Sequence, residues 1–436
     1  MVRTHHWENT YWENAMTAQA AQAPLDLVDA VAQQLTDPGS VLLPAAHRQH
    51  LAHGLPGIAL LHIERAAAGL GPWQRAHDWL AAASRAPLTS GPDSHPFYGA
   101  SAFAHALACA ADHLPGAYRR ALDTLDRQTA ADAIRRVDAA HHRIDTGRLP
   151  ALAEFDTIRG LSGYGAHLLR RNPDSSALRA VLGYCVRLTR PITQDGDTLP
   201  GWWTETGPSG RPDERFPGGH ANSGMAHGVG GVLALLALAA RYGTFVAGHG
   251  EALDRILTWL DHWEDGSGPT WPYWITRAEL RAGHPAPSAP RRPSWCYGTA
   301  GLARARQLAA LALGDTRRRL DAENALVAAL TDPAQLKATR DNALCHGFAG
   351  LAHIAARAAD DAHPSTSRRL RAVIPALLAA VHPPGTDPVH TATAIVQDEA
   401  RGPGLLDGAA GIALALLATN AAAPPRSAWD ACLLVA

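Results

Sequence analysis

Lysine is almost absent from this 436-residue chain: Lys337 is the only one, and nearly all of its positive charge is arginine. Charge of one sign is not in excess either. With 39 basic and 40 acidic residues the formal net charge is −1, which removes any global electrostatic drive toward nucleic acid or anionic lipid. Long hydrophobic runs are missing. The longest apolar stretch, Val229 to Ala240, is roughly a dozen residues, against the ~20 that a bilayer-spanning helix needs. Met1 to Met16 carry Arg3, His5, His6, Trp7, Glu8 and Glu13 in place of an apolar signal core, so the expected compartment is the cytoplasm. The five cysteines, Cys109, Cys185, Cys296, Cys345 and Cys432, are too sparse and odd in number for a disulfide framework. The period-2 alternation that marks a sheet is also lacking.

What is present begins with hydrophobic residues at 47% and charged residues at 18%, the balance of a chain that folds around a sizeable core. Self-similarity organises it. A Gly-x-x-Gly pair followed by an Ala/Leu-rich stretch recurs at Gly54/Gly57, Gly160/Gly163, Gly228/Gly231, Gly298/Gly301, Gly347/Gly350 and Gly408/Gly411. A weaker copy stands at Gly99, where Ala102 replaces the second glycine. Successive copies lie 45 to 70 residues apart, room for two helices and their connections. Glycine inside a helix costs about 0.5–1 kcal/mol relative to alanine, so its recurrence marks a packing demand that returns with each unit. Glycines at i and i+3 share one face of a first helical turn and let neighbouring backbones approach. A closed ring of inner helices imposes that demand. The expected fold is therefore all-α, with about seven helical-hairpin repeats in inner and outer rings. Residues 27–436 form the single domain of this reading and residues 1–26 a flexible extension. Two segments break the helical texture: Asp195–Asn222, with Trp202 and Trp203, and Asp265–Pro293, with six prolines. They read as long loops and, with Trp202 and Trp203, as a functional rim ahead of the candidate chemistry.

Aligned on the first glycine, the repeats carry Ala226-His227, Cys296-Tyr297 and Cys345-His346 at positions −2 and −1. Equivalent positions of a ring face one mouth, so Cys296, Cys345 and His346 converge there. Such a Cys2His set leaves a fourth tetrahedral position open for water or substrate, the pattern of a catalytic zinc site. Two thiolates and a neutral imidazole cancel the charge of Zn2+. A third thiolate arriving from substrate then stays electron-rich, yet is ionised near neutral pH, below the ~8.5 of free cysteine. Cys109, Cys185 and Cys432 lack this register and read as small buried hydrophobes. His53 and Asp407 also occupy position −1, with helix capping or structural hydrogen bonds as their expected roles.

Trp295-Cys296-Tyr297-Gly298, Cys345-His346-Gly347-Phe348-Ala349-Gly350 and Ser223-Gly224-Met225-Ala226-His227-Gly228 resemble the signature motifs of the LanC lanthipeptide cyclases. The resemblance spans Leu27 to Ala418 and implies an (α/α) toroid with one zinc ion at one end of the ring. It also implies the reaction: a cysteine of a dehydrated precursor peptide adds to dehydroalanine or dehydrobutyrine and closes a lanthionine or methyllanthionine thioether ring. His227 is then the proton donor to the enolate, Asp156 orients a histidine or receives the thiol proton, Arg292 stabilises the enolate or pairs with Asp156, and Tyr297 hydrogen-bonds beside the metal. Each has a plain structural alternative: capping for His227 and Asp156, packing for Tyr297, and competition from Arg291 for the role of Arg292. Implied partners are the dehydrated peptide, a membrane transporter and a separate dehydratase, since no dehydratase domain fits before the first repeat. Neither nucleic-acid binding nor membrane insertion is implied, although peripheral attachment to a membrane biosynthetic complex is. Two other readings share these motifs, an enzyme that adds glutathione to dehydrated residues and an inactive zinc-stabilised peptide-binding scaffold. The presence of His227, Asp156 and Arg292 speaks against the scaffold.

Overall fold

The computed structural model describes residues 22–264, 268–287, 289–420 and 424–436. A helix starts directly after the first glycine of every repeat: α1 Leu55–Ala67, α2 Ala100–Ala111, α3 Leu161–Arg171, α4 Val229–Arg241, α5 Thr299–Leu313, α6 Phe348–Asp361 and α7 Ala409–Asn420. Each packs on the next, and α7 packs back on α1, closing a ring of seven. The weak copy at Gly99 is thus a full member. Six outer helices, Trp73–Ala83, Arg119–Asp145, Ser176–Leu188, His249–His262, Thr316–Thr331 and Pro364–Val381, pack respectively on α1 to α6. An all-α toroid of paired inner and outer helices results. The expected boundary after residue 26 falls inside a helix covering residues 22–34, while residues 1–21 of the expected extension lie outside the described residues.

Composition explains which helix goes where. In α4 every residue from Val229 to Ala240 is buried, because the helix touches two ring neighbours, an outer helix and the bore; a helix apolar all round has to be enclosed. The outer helices are two-faced and begin on side-chain caps such as Ser175 and Asp315. The inner helices have no side-chain cap. Glycine stands there instead, and the second glycine makes room for its own chain and, in most pairs, for the neighbouring turn: a Cβ on Gly231 would overlap Thr157 Oγ1, and one on Gly163 would meet the Pro96 ring at 2.7 Å. A Cβ on Gly350 would overlap the Leu344 carbonyl oxygen six residues earlier, and one on Gly411 would overlap that of Leu405. The second glycine therefore lets the chain double back on itself just before the helix.

The two expected loops hold short strands. Ile192–Gln194 pairs antiparallel with Asp197–Leu199, and His220–Asn222 with Trp274–Thr276, so the second ribbon ties one long loop to the other. Trp202 and Trp203 are not at the rim. They are 2% and 0% exposed, Trp202 edge-on to Trp259 at 5.6 Å and Trp203 donating its indole N–H to the Gly218 carbonyl. Rings this large gain more from the outer-helix core than from solvent. The bore is filled by residues 427–435. Ser427 meets Glu64 and Arg170, Asp430 meets His353 and Arg357, and the carbonyls of Leu433 and Val435 accept from Trp295 and Arg304. Among the described residues no helix is long and apolar enough to cross a membrane.

Candidate metal centre

The turns that precede the inner helices are stitched to one another around the mouth. Thr157 N–H donates to Ala226 O, Ala226 to Cys296 O, Cys296 to Cys345 O, Cys345 to Leu406 O, Leu406 to Ala52 O, and Leu51 to Phe97 O, over 2.8–3.4 Å. The last gap is spanned by the His95 side chain, whose Nδ1 lies 3.1 Å from Ile158 O. Every position −2 residue takes part in this belt. Because backbone hydrogen bonds fix neighbouring turns in one register, the side chains at −2 and −1 are held in fixed order. Cys296 and Cys345 are direct neighbours on it.

One donor atom each from Cys296, Cys345 and His346 lies within 4.8 Å of the others, and among the described residues no other set of three metal-ligating side chains does so. Cys296 is 6% exposed and the His346 side chain 23%, so the set is open on the His346 side. Hydrogen bonds from the Cys345 thiol, then from His346 and Ser294, hold the Cys296 thiol well below its ordinary range, and the Cys345 thiol is pushed up by giving its proton to Cys296. Asp341 first, with Cys296, pushes His346 up to about 9. Negative charge on sulfur beside imidazole is the state that a soft divalent cation takes over. His346 Nε2 lies 3.2 Å from Asp341 Oδ2, the outer carboxylate contact that orients a ligating histidine, and Asp407 Oδ1 stands 3.5 Å from Nδ1. The donor set fits a metal ion.

His227 Nδ1 lies 2.6 Å from Asp156 Oδ2. The carboxylate accepts, so Nδ1 carries the proton and Nε2 is the atom presented to a ligand. Asp156 is 1% exposed and His227 33%, an enclosed anchor carrying a reachable imidazole. The other oxygen of Asp156 accepts from the backbone N–H groups of Arg159 and Gly160 at 2.6 and 2.8 Å, so one carboxylate both caps the turn and contacts His227. Tyr297 sits between the two clusters. Its ring is 6.2 Å from that of His227, its hydroxyl accepts from Asn222 Nδ2 at 3.2 Å, and burial pushes its pKa up. Arg292 makes no contact with Asp156, whose oxygens are already engaged; its positive field acts on the Cys345 thiol. Arg291 instead lies over the Tyr273 ring at 5.2 Å, which separates the two arginines.

Sequence reasoning missed Asp341, Asn222 and Arg159. Arg159 had a signal, for it occupies position −1. All seven −1 residues, His53, Tyr98, Arg159, His227, Tyr297, His346 and Asp407, are polar. Asp341 and Asn222 stand outside that register and carried none.

Known proteins share this fold. The structure aligns with that of a nisin cyclase at a TM-score of 0.73 and 21% identity, covering 90% of this chain and 93% of that one. In sequence it is 28% identical over 207 residues to the nisin biosynthesis protein NisC of Lactococcus lactis subsp. lactis, 46% of this chain and 48% of that protein. The chain thus spans about half the length of that curated relative. The family model for lanthionine synthetase C-like proteins matches residues 46–434, a span that takes in all seven inner helices and the whole mouth, and the chain belongs to the lanthionine synthetase C-like family.

Proposed function

We propose that this chain is a zinc-dependent peptide cyclase that forms lanthionine and methyllanthionine by adding cysteine thiols of a dehydrated precursor peptide to dehydroalanine or dehydrobutyrine. The observation that carries the reading is the meeting, on one belt, of the Cys296, Cys345 and His346 donors with the Asp156–His227 pair. Cys296, Cys345 and His346 would hold the zinc ion, which supplies the positive charge that ionises an arriving thiol near neutral pH.

The remaining work falls to side chains. Asp341 orients His346, and the peptide enters on the partly exposed His346 side of the set. Sulfur attacks the β-carbon: the S–C bond forms, the C=C π pair moves toward the carbonyl, and an enolate results. The Arg292 charge stabilises that anion. His227, anchored through Nδ1, delivers a proton from Nε2 to the α-carbon, and the proton lost by the thiol balances the one gained at carbon. Asp156 holds the imidazole in orientation. The substrate must come from a dehydratase-class enzyme acting on serine and threonine.

The test is cyclisation of a dehydrated cysteine peptide followed by thiol alkylation. Ring closure leaves the mass unchanged, so each ring appears as one thiol that fails to alkylate. Wild type is expected to protect the thiols, and His227→Asn to retain zinc but lose turnover. A His227→Asn protein that closes rings at the wild-type rate removes His227 from the mechanism. A wild type that adds only glutathione overturns the choice of substrate.

A further inference from the structure

Across the mouth from the sulfur atoms lies a second cluster of side chains. His47, His50 and His53 come from the turn before α1, His95 and Tyr98 from the turn before α2, and Arg159 from the turn before α3. The ring centroids of His50 and His53 are 4.9 Å apart, those of His47 and His53 5.5 Å, and those of His50 and His95 5.7 Å; Tyr98 stands 6.0 Å from His50. The backbones beneath are fixed. Tyr98 bridges to both His50 and His95, and the Arg159 N–H is held by Asp156.

Arg159 is exposed, and among the described residues its guanidinium has no carboxylate within ion-pair distance and no hydrogen-bond acceptor. His50 Nδ1 accepts from the Ala52 N–H at 3.1 Å, which puts the ring proton on Nε2, a donor with no partner among the described residues. Burial, with neighbouring imidazoles and Arg159, keeps His50 neutral down to about 3; burial and then Arg159 do the same for His95 down to about 4. The arc therefore offers one permanent cation beside neutral N–H donors.

We propose that this arc is a carboxylate-binding subsite, in which Arg159 with His50 and His53 holds a carboxylate of the peptide while its cysteine sits at the metal ligands opposite. A singly charged planar anion matches one guanidinium fork and neutral donors. Asp156 and Asp407 close the two ends of the arc and oppose a larger or dianionic group. The proposal rests on the cyclase reading for the identity of the ligand as a peptide. The carboxylate comes from an acidic side chain or from the end of the peptide.

Binding of fluorescein-labelled cysteine peptides to the full, zinc-loaded chain tests it, with serine in place of dehydroalanine so that no reaction follows. Three peptides suffice: amidated with one Asp, amidated with Asn in its place, and the Asn peptide with a free terminal carboxylate. Wild type is expected to bind at least one acid peptide about tenfold more tightly than the amidated Asn peptide, the scale of a charge-assisted contact. Whichever acid gains identifies the source. Arg159→Ala should erase the preference, and Arg159→Glu should reverse it in favour of the amidated Asn peptide. Equal binding of all three peptides by wild type, or an undiminished acid preference in Arg159→Ala, overturns the proposal. Failure of wild type to close rings in the separate alkylation assay overturns the cyclase reading and leaves the binding comparison to be judged by itself.

Discussion

Asp156 divides its two oxygens between two duties, one capping the turn at Arg159 and Gly160 and the other holding His227. Replacing it with Asn separates them. The Asn oxygen still accepts from the turn, while its N–H2 faces Nδ1 and drives the ring to the wrong tautomer. Asp156→Asn is therefore expected to lower turnover about 10²–10⁴-fold, the range of a lost general acid, with a melting temperature close to wild type; a large drop in melting temperature with turnover preserved would make Asp156 structural only. Asp341 acts on the metal side. Asp341→Asn should weaken zinc binding about 10–100-fold, read by chelator competition, and unchanged affinity would remove Asp341 from the site. Cys109 and Cys185 behave as the sequence reading expects: both are buried, and burial pushes their thiols up, Cys185 to about 12, so neither competes as a nucleophile.

At the scale of the element, glycine position separates two kinds of demand. Gly350 doubles back against the Leu344 carbonyl, whereas Gly183, midway along the outer helix Ser176–Leu188, has nothing within 4 Å of the place a Cβ would take. Gly350→Ala is expected to destabilise by about 2–4 kcal/mol, and Gly183→Ala to stabilise by about 0.5–1 kcal/mol. Urea denaturation measures both, and opposite signs are the prediction. The same contrast shows why the inner ring was legible: a backbone clash tolerates only glycine, so it leaves a periodic mark, and the −2 and −1 residues beside it inherit the register. Less regular features were not read. Asp195-Gly196, with φ of 54° and 82°, is a hairpin signal between Ile192–Gln194 and Asp197–Leu199 that the expectation of an all-helical chain obscured. The ribbon between His220–Asn222 and Trp274–Thr276 joins strands too far apart for local patterning to announce. Trp202 and Trp203 looked like binding residues because aromatic side chains in a Gly/Pro-rich loop suit both a rim and a core, and composition alone does not separate the two.

The whole molecule depends on one hydrogen-bonded belt and on histidines enclosed beneath it and in the outer layer. Burial holds His62, His95 and His220 down to about 4, against about 6.5 in an unfolded chain. Between those values the unfolded chain binds more protons than the folded one, so stability rises with pH from about 4 to about 6.5 and is lost as acid is added. Each histidine contributes at most about 1.4 kcal/mol per pH unit in that window. Melting temperatures at pH 5.5 and 7.5 should show the acid sample several degrees lower, with a smaller gap in His220→Gln; identical melting at the two values would mean that these rings are hydrated.

The central claim, that the belt assembles Cys296, Cys345 and His346 into a zinc site, is tested most directly by metal analysis of the protein purified without added metal, beside Cys345→Ala. About one zinc per chain is expected in wild type, with loss of that zinc in a Cys345→Ala protein that keeps its helical circular dichroism. A wild type that closes thioether rings without bound metal would contradict the claim.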